Sequence, residues 1–317
     1  MGAYLARRVL LLVPLLFGVT AITFALLVLA PGDPVDFLIS PEERGIANVA
    51  VLRHELGLDR PLPAQYVSMM TDLLTGRLRS FNERRPTMQM VAEALPTTLI
   101  LGATSLAATV ALAAPIAVLS AVRPYSAVDH AATLFSLLGI SLPTFWFALG
   151  LIYVFTERLA VLPASGIRPV GASGFAPGVI WPYLLMPTVV QALSILPVLV
   201  RYGRSSLLDN LGQDYVRVAR SKGLGEQGVL VRHVARNSLV PVLTIVALLL
   251  PFLLSGSVVV ETIFALPGIG RLAVGAALAR DYPTVLTTTT VAGLLVVLCN
   301  LGADLGYFYL DPRVRDG

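Results

Sequence analysis

The sequence predicts an all-α integral membrane protein with six transmembrane helices and both termini in the cytoplasm. Three observations carry that expectation. Hydrophobic residues make up 56% of the chain and charged residues only 13%, too little polar surface to cover a water-facing globule. Several apolar runs approach the roughly 20 residues that a helix needs to cross a bilayer. The arginines gather in alternate connecting segments, as the positive-inside bias of membrane proteins requires.

Arg7 and Arg8 precede an apolar run over 9–30. The run is longer than the about 7–15 residues of a signal-peptide core, and Pro31 follows the only small-x-small candidate, Val28-Leu29-Ala30, so it reads as an uncleaved first span. Pro31, Gly32 and Pro34 stop that helix. A polar outer segment follows over 31–96, with helical spacing at 46–56 and 64–78. In the second stretch Tyr66, Met69, Met70, Leu73 and Leu74 fall on one face. A helix lying flat at the membrane surface and a small cap packed on the bundle are both open readings of it.

The second span is expected over 97–122. Gly102, Ala103, Ala107, Ala108, Ala111, Ala113 and Ala114 mark it as an interior helix, since small residues let backbones meet where lipid provides no hydrophobic drive. The third span, 131–155, holds Pro143; the fourth, 182–199, holds Pro187 and Pro197; the fifth, 239–259, holds Pro251. Each proline is a candidate kink because it removes a helix hydrogen bond. At Pro143 a hinge and plain packing are equally open. An outer segment over 261–270 has a re-entrant pattern, and the last span is expected over 284–306, with Asp304 near its end. The chain thus divides into 1–30, 31–96 and 97–317, the last containing a cytoplasmic loop over 205–240.

Charge placement orients the spans. The inner segments hold Arg7, Arg8, Arg123, Arg201, Arg204, Arg217, Arg220, Lys222, Arg232, Arg236, Arg313 and Arg315, whereas the two short outer loops hold only Arg158, Arg168, Arg271 and Arg280. The long outer segment, beyond roughly 60 residues, falls outside the rule.

Several functions are disfavoured. A net charge of +4 without a continuous basic, aromatic-bearing face argues against nucleic acid as a partner. Cys299 is the only cysteine, and His54, His130 and His233 are scattered without metal-ligand spacing. No catalytic constellation and no internal repeat are visible. The spans carry almost no ionisable group at mid-depth, which disfavours an ion-coupled carrier. Glu261 and Asp304 lie at span ends, where solvated or capping roles are expected. A phosphate-binding loop needs Gly-Lys-Ser/Thr, but the only lysine, Lys222, stands between Ser221 and Gly223. If ATP drives the protein, another polypeptide hydrolyses it.

The loop over 214–224 and its sequel at 232–241 are basic segments between two strongly apolar ones. A solvated loop explains the charge alone. Its patterning indicates more: Ala219 and Gly223 lie one helical turn apart, a small-residue face open to close approach. Gly223 can end a helix, and the next helix leads into the fifth span. The expectation is a docking surface that passes motion to a membrane helix.

Eight pieces in fixed order carry a resemblance: Ala6-Arg7-Arg8, Ala30 to Pro34, Leu56-Gly57-Leu58-Asp59-Arg60-Pro61, Glu93 to Leu99, 214–224 with Arg236-Asn237-Ser238-Leu239, Glu261 to Gly270, Arg280-Asp281-Tyr282-Pro283, and Leu310-Asp311-Pro312-Arg313. Together they resemble B-type permease subunits of binding-protein-dependent, ATP-driven dipeptide and oligopeptide importers, over the whole chain. The family's Glu-Ala-Ala-x-x-x-Gly motif falls on Arg217-Val218-Ala219 through Gly223, so its glutamate is replaced by Arg217, and the following proline comes late, at Pro241.

The resemblance implies a type I ABC importer permease fold in a bacterial inner membrane. It implies pairing with a second, C-type peptide permease, and two cytoplasmic ATPase subunits, one of them docking on Asp214, Tyr215, Arg217, Ala219, Arg220, Lys222, Gly223 and Leu224. An extracytoplasmic substrate-binding protein would deliver cargo to the outer loops, and Glu261, Phe264, Pro267, Gly268 and Gly270 would form a loop that meets it or faces the gate. ATP and magnesium would sit on the partner ATPases, leaving no cofactor, metal or catalytic residue in this chain. Di- or oligopeptides are the implied cargo; nickel, glutathione or another small solute is the alternative within the family.

Overall fold

The computed structural model describes residues 2–39, 49–169, 171–172 and 174–310. The part of the expected helical stretch at 46–48, and Asp311, Pro312, Arg313 and Arg315, lie outside the described residues, as does the side chain of Asp304. The described residues form thirteen α-helices, two π-helical turns and no strand. An isolated antiparallel bridge pairs Arg79 with Pro86. The chain forms two compact units, one of 1–98 with 265–297 and the other of 99–264 with 298–317.

In the first unit, α1 (Gly2–Leu29) is followed by the short helices α2 (Pro34–Leu38), α3 (Val49–Glu55) and α4 (Leu62–Leu74). Asp33 caps α2 by accepting from the Val35 amide at 3.0 Å. Helix α4 packs rather than floats. Met69 and Leu73 are buried with Phe24 and Leu27 of α1, and with Leu78, Phe81, Tyr282 and Leu286. The Tyr66 hydroxyl lies 2.7 Å from that of Thr20. One face of α4 thus packs against α1, with one correction to the expected face: Leu74 is 87% exposed, and Gln65 takes the buried place beside Met69. Gln65 is held there because its amide donates to the Leu58 and Arg60 carbonyls.

Asp281, 2% exposed, joins the 79–86 hairpin to the start of α13 (Tyr282–Leu310). Its carboxylate accepts from the Ser80 hydroxyl at 2.5 Å, the Phe81 amide at 3.0 Å and the Thr284 hydroxyl at 2.7 Å. Helix α12 (Ile269–Leu278) is a short apolar helix of the same unit.

In the second unit the helix of the second expected span, α5 (Thr87–Val122), ends. Then come α6 (Ala127–Ser141), α7 (Thr144–Ile152) with a π-turn at Tyr153–Arg158, and α8 (Pro177–Leu211). Helix α5 starts ten residues earlier than expected, and α8 runs well past Leu199, so Arg201 and Arg204 lie within a helix rather than in a loop. Alpha-helices continue beyond the apolar core because polar residues with good helix propensity do not stop them.

Burial differs between the two long helices. Two-thirds (67%) of the apolar window of α8 is buried, against 33% for that of α5. The small residues of α5 instead give α8 a close seat: a Cβ added at Gly203 would lie 3.0 Å from that of Ala117.

Among the described residues, four helices are each long and apolar enough to cross a membrane, and two bent pairs make six if each counts as one span. One pair bends by 98° between Ser141 and Thr144, the other by 44° between Leu239 and Pro241.

Candidate functional site

The basic loop folds into a compact helical corner within the second unit. Helix α9 (Asp214–Ser221) turns at 222–225 into α10 (Glu226–Val229), which continues through a π-turn at Leu230–Ala235 into α11 (Arg236–Ile263). Asp214 in its first turn and Arg220 in its last oppose the helix dipole. The helix ends in a Schellman turn: the Gly223 amide donates to the Arg220 carbonyl at 2.9 Å and the Leu224 amide to that of Ala219 at 3.3 Å. Gly223 takes φ +80°, a conformation that glycine adopts without Cβ strain, and no atom lies within 4 Å of the place a Cβ would take.

The two faces of α9 differ. Val216 and Ala219 are buried against Ala117 and Ala121 of α5, Leu207 of α8, and Val229 and Val234, with Leu224 closing the edge. Asp214, Tyr215, Arg217, Arg220, Lys222 and Gly223 are exposed. Ala219 thus corrects the expectation of a small-residue docking face. It faces inward because only a small side chain fits where α9 meets the ends of α5 and α8. The outward surface is cationic.

Two contacts invisible to periodicity brace the corner. Arg220 forms a two-point ion pair with Glu226, at 2.9 and 3.0 Å, across the Gly223 turn. The Tyr215 hydroxyl donates to the Asn210 side chain at 2.6 Å, fixing α9 to the end of α8. Neither spacing matches a helical repeat, so neither pair stands out in the sequence. Arg217 and Asp214 approach to 3.4 Å but are almost fully exposed, a pair of little energetic consequence.

The other expected positions divide. In the second unit Glu261 and Phe264 are 0% and 1% exposed, so Glu261 is not a solvated helix end; the helix carries it inward with Val260 and Phe264. In the first unit Gly268 and Gly270 are buried, and Pro267 is exposed. Pro267 lines a cleft of about 460 Å³ with Glu83, Arg85, Glu93 and Arg271.

Pro143 is the N-cap of α7 at the 98° bend. Pro187 and Pro197 lie inside continuous α8, and Pro251 inside α11. Hydrogen bonds tie α8 to α11: the Gln191 amide donates to the Leu253 carbonyl at 2.7 Å, and Ser206 and Ser238 bond reciprocally.

Comparison with known proteins agrees with this architecture. The family model "Binding-protein-dependent transport system inner membrane component" matches residues 113–316, and its N-terminal companion matches 1–102. The chain is 38% identical over 317 residues to the oligopeptide transport system permease protein AppB of Bacillus subtilis, covering 99% of this chain and 100% of that one. It is 35% identical over 335 residues to the dipeptide transport system permease protein DppB of Escherichia coli, covering 98% of each. The fold resembles a solved chain of the MetNI methionine ABC transporter in an inward-facing form, with TM-score 0.54 and 15% identity over 72% of this chain and 99% of that one.

Proposed function

The chain belongs to the family of binding-protein-dependent transport system inner membrane components, and on that premise we propose that it forms half of the pathway for short peptides, worked by partner ATPases through α9. It is an importer permease of the inner membrane. Peptide cargo is supported by the names of its full-length relatives, an oligopeptide and a dipeptide permease. A second permease completes the pathway, two ATPase subunits bind and hydrolyse ATP with magnesium, and an extracytoplasmic binding protein delivers cargo.

The observation that supports α9 as the ATPase seat is its two-sidedness. The inner face is packed on α5 and α8, so the helix cannot swing freely, while the outer face presents Arg217, Arg220 and Lys222 to water. Force applied to such a helix moves the elements under it, as switching between two packed arrangements requires. The 98° bend at Pro143 and the bent start of α11 supply non-uniform helices to rearrange.

Combined Arg217→Glu and Lys222→Glu is expected to abolish co-purification of the ATPase subunits while the second permease still co-purifies. ATPases retained at the normal stoichiometry would remove the seat from α9. For cargo, uptake of a radiolabelled tripeptide is expected in cells whose own peptide importers are deleted; nickel uptake in its place would overturn the peptide reading.

A further inference from the structure

Asp129 and Arg204 form a two-point ion pair within the second unit, Nε to Oδ1 at 2.6 Å and Nη2 to Oδ2 at 2.7 Å. Asp129 is 4% exposed. Its Oδ2 also accepts from the Tyr125 amide at 2.9 Å, and its own amide donates to the Ser126 hydroxyl that caps α6 at 3.3 Å. Tyr125 itself has φ +61°, so the turn between α5 and α6 is held in one conformation by this carboxylate.

Such a pair is a poor device for strength. Burying the Asp129 carboxylate costs desolvation that offsets much of its attraction to Arg204, whose side chain is still 28% exposed and keeps part of its contact with water. What a guanidinium–carboxylate fork adds is geometry, because both hydrogen bonds form only in one plane and register. Among the described residues, it is the only hydrogen-bonded link between α6 and α8. Elsewhere the two helices meet by packing, as where Gly139 lies against the Pro197 ring, and packing fixes register less sharply than a two-point hydrogen bond.

Its place in the fold gives that register a use. Arg204 lies on α8 two turns before the helix ends at Leu211 and leads into α9. Helix α9 is seated on Ala117 and Ala121 of α5 and Leu207 of α8, so it is packed directly on the ends of both helices. Helix α6 runs from the ion pair to Ser141, where the third span turns by 98° into α7. We propose that Asp129 and Arg204 are a positioning pair that carries displacement of α9 into the bent third span, making α6 part of the same rigid body. This rests on the reading of α9 as the ATPase seat.

The test uses the importer purified with its partner subunits in lipid nanodiscs, in a Cys299→Ala background, with spin labels at His130 on α6 and Gln213 before α9, both exposed. Distances are measured without nucleotide and after trapping with MgATP and vanadate. With the pair intact, the label separation is expected to stay constant. With Asp129→Asn it is expected to broaden or shift by about 2 Å on trapping, and the exchanged pair Asp129→Arg with Arg204→Asp is expected to restore it.

Should Asp129→Asn fail to assemble, Arg204→Lys keeps the charge, loses the fork and gives the same comparison. A separation that already changes in the wild type overturns the proposal. So does full restoration by the apolar pair Asp129→Leu with Arg204→Met, which would leave only packing. Failure of the ATPase seat reads differently: in that case charge reversal on α9 leaves the ATPases bound, whatever the labels report.

Discussion

Ser206 and Ser238 exchange hydrogen bonds between α8 and α11: each hydroxyl donates to the other's carbonyl, at 3.2 and 3.1 Å. Both serines are buried, and the exchange lies in the last turns of α8 on one side and just after the π-turn on the other. It closes the base of the corner whose tip is Gly223. Replacing either serine by alanine is expected to lower stability by about 0.6–1.5 kcal/mol, read from the unfolding midpoint of the purified complex. An unchanged midpoint in the double variant would mean that these bonds contribute nothing net.

Gly223 separates backbone effects from surface effects. A Cβ there meets no atom, so Gly223→Ala carries only the cost of a left-handed φ, about 1 kcal/mol. Uptake by that variant is expected to remain near normal. Gly223→Asp adds a negative charge to a cationic surface, and ATP hydrolysis is expected to continue while uptake falls to background. Normal uptake by the aspartate variant would count against contact at this turn.

Gly139 and Gly150 form a matched pair of helix glycines. A Cβ at Gly139 would lie 2.9 Å from the Pro197 ring, whereas at Gly150 nothing lies within 4 Å. Gly139→Ala is expected to destabilise by about 1–3 kcal/mol through overpacking between α6 and α8. Gly150→Ala is expected to be neutral or to stabilise by up to about 1 kcal/mol, since alanine is the better helix former. Equal melting shifts for the two would contradict the close helix contact.

Asp281→Ala leaves the buried donors of Ser80, Phe81 and Thr284 without their acceptor, and is expected to cost about 3 kcal/mol or more. Asp281→Asn retains one oxygen and is expected to lie between. Hydrogen exchange at the Phe81 amide reports this directly; protection unchanged in the alanine variant would show that the carboxylate does not hold the hairpin.

Much of the architecture was legible in the residues. Apolar runs near the bilayer length coincide with the four long apolar helices and the two bent pairs, and Pro31, Pro143 and Gly223 each stand at an observed break. The helical period at 64–78 located α4 but misassigned Leu74, because periodicity says which residues share a face and not how wide the contact is. The polar ends of α5 and α8 were missed because helices propagate past the apolar boundary that hydropathy detects. Glu261 was misread for a related reason: distance along the chain from a span centre does not measure depth inside a packed unit.

By itself, the sequence determined that this is a helical membrane protein, that its chain breaks at Pro31, Pro143 and Gly223, and that its basic segment between α8 and α11 contains a helix ended by glycine. Those properties follow from local rules of transfer energy, proline and glycine backbone preference and charge bias. Only the tertiary structure decided that Ala219 faces inward, that Arg220 holds Glu226, and that Asp129 meets Arg204 seventy-five residues away. Contacts of that kind depend on which helix faces meet, and packing sets this jointly for all the helices rather than within any one stretch of chain.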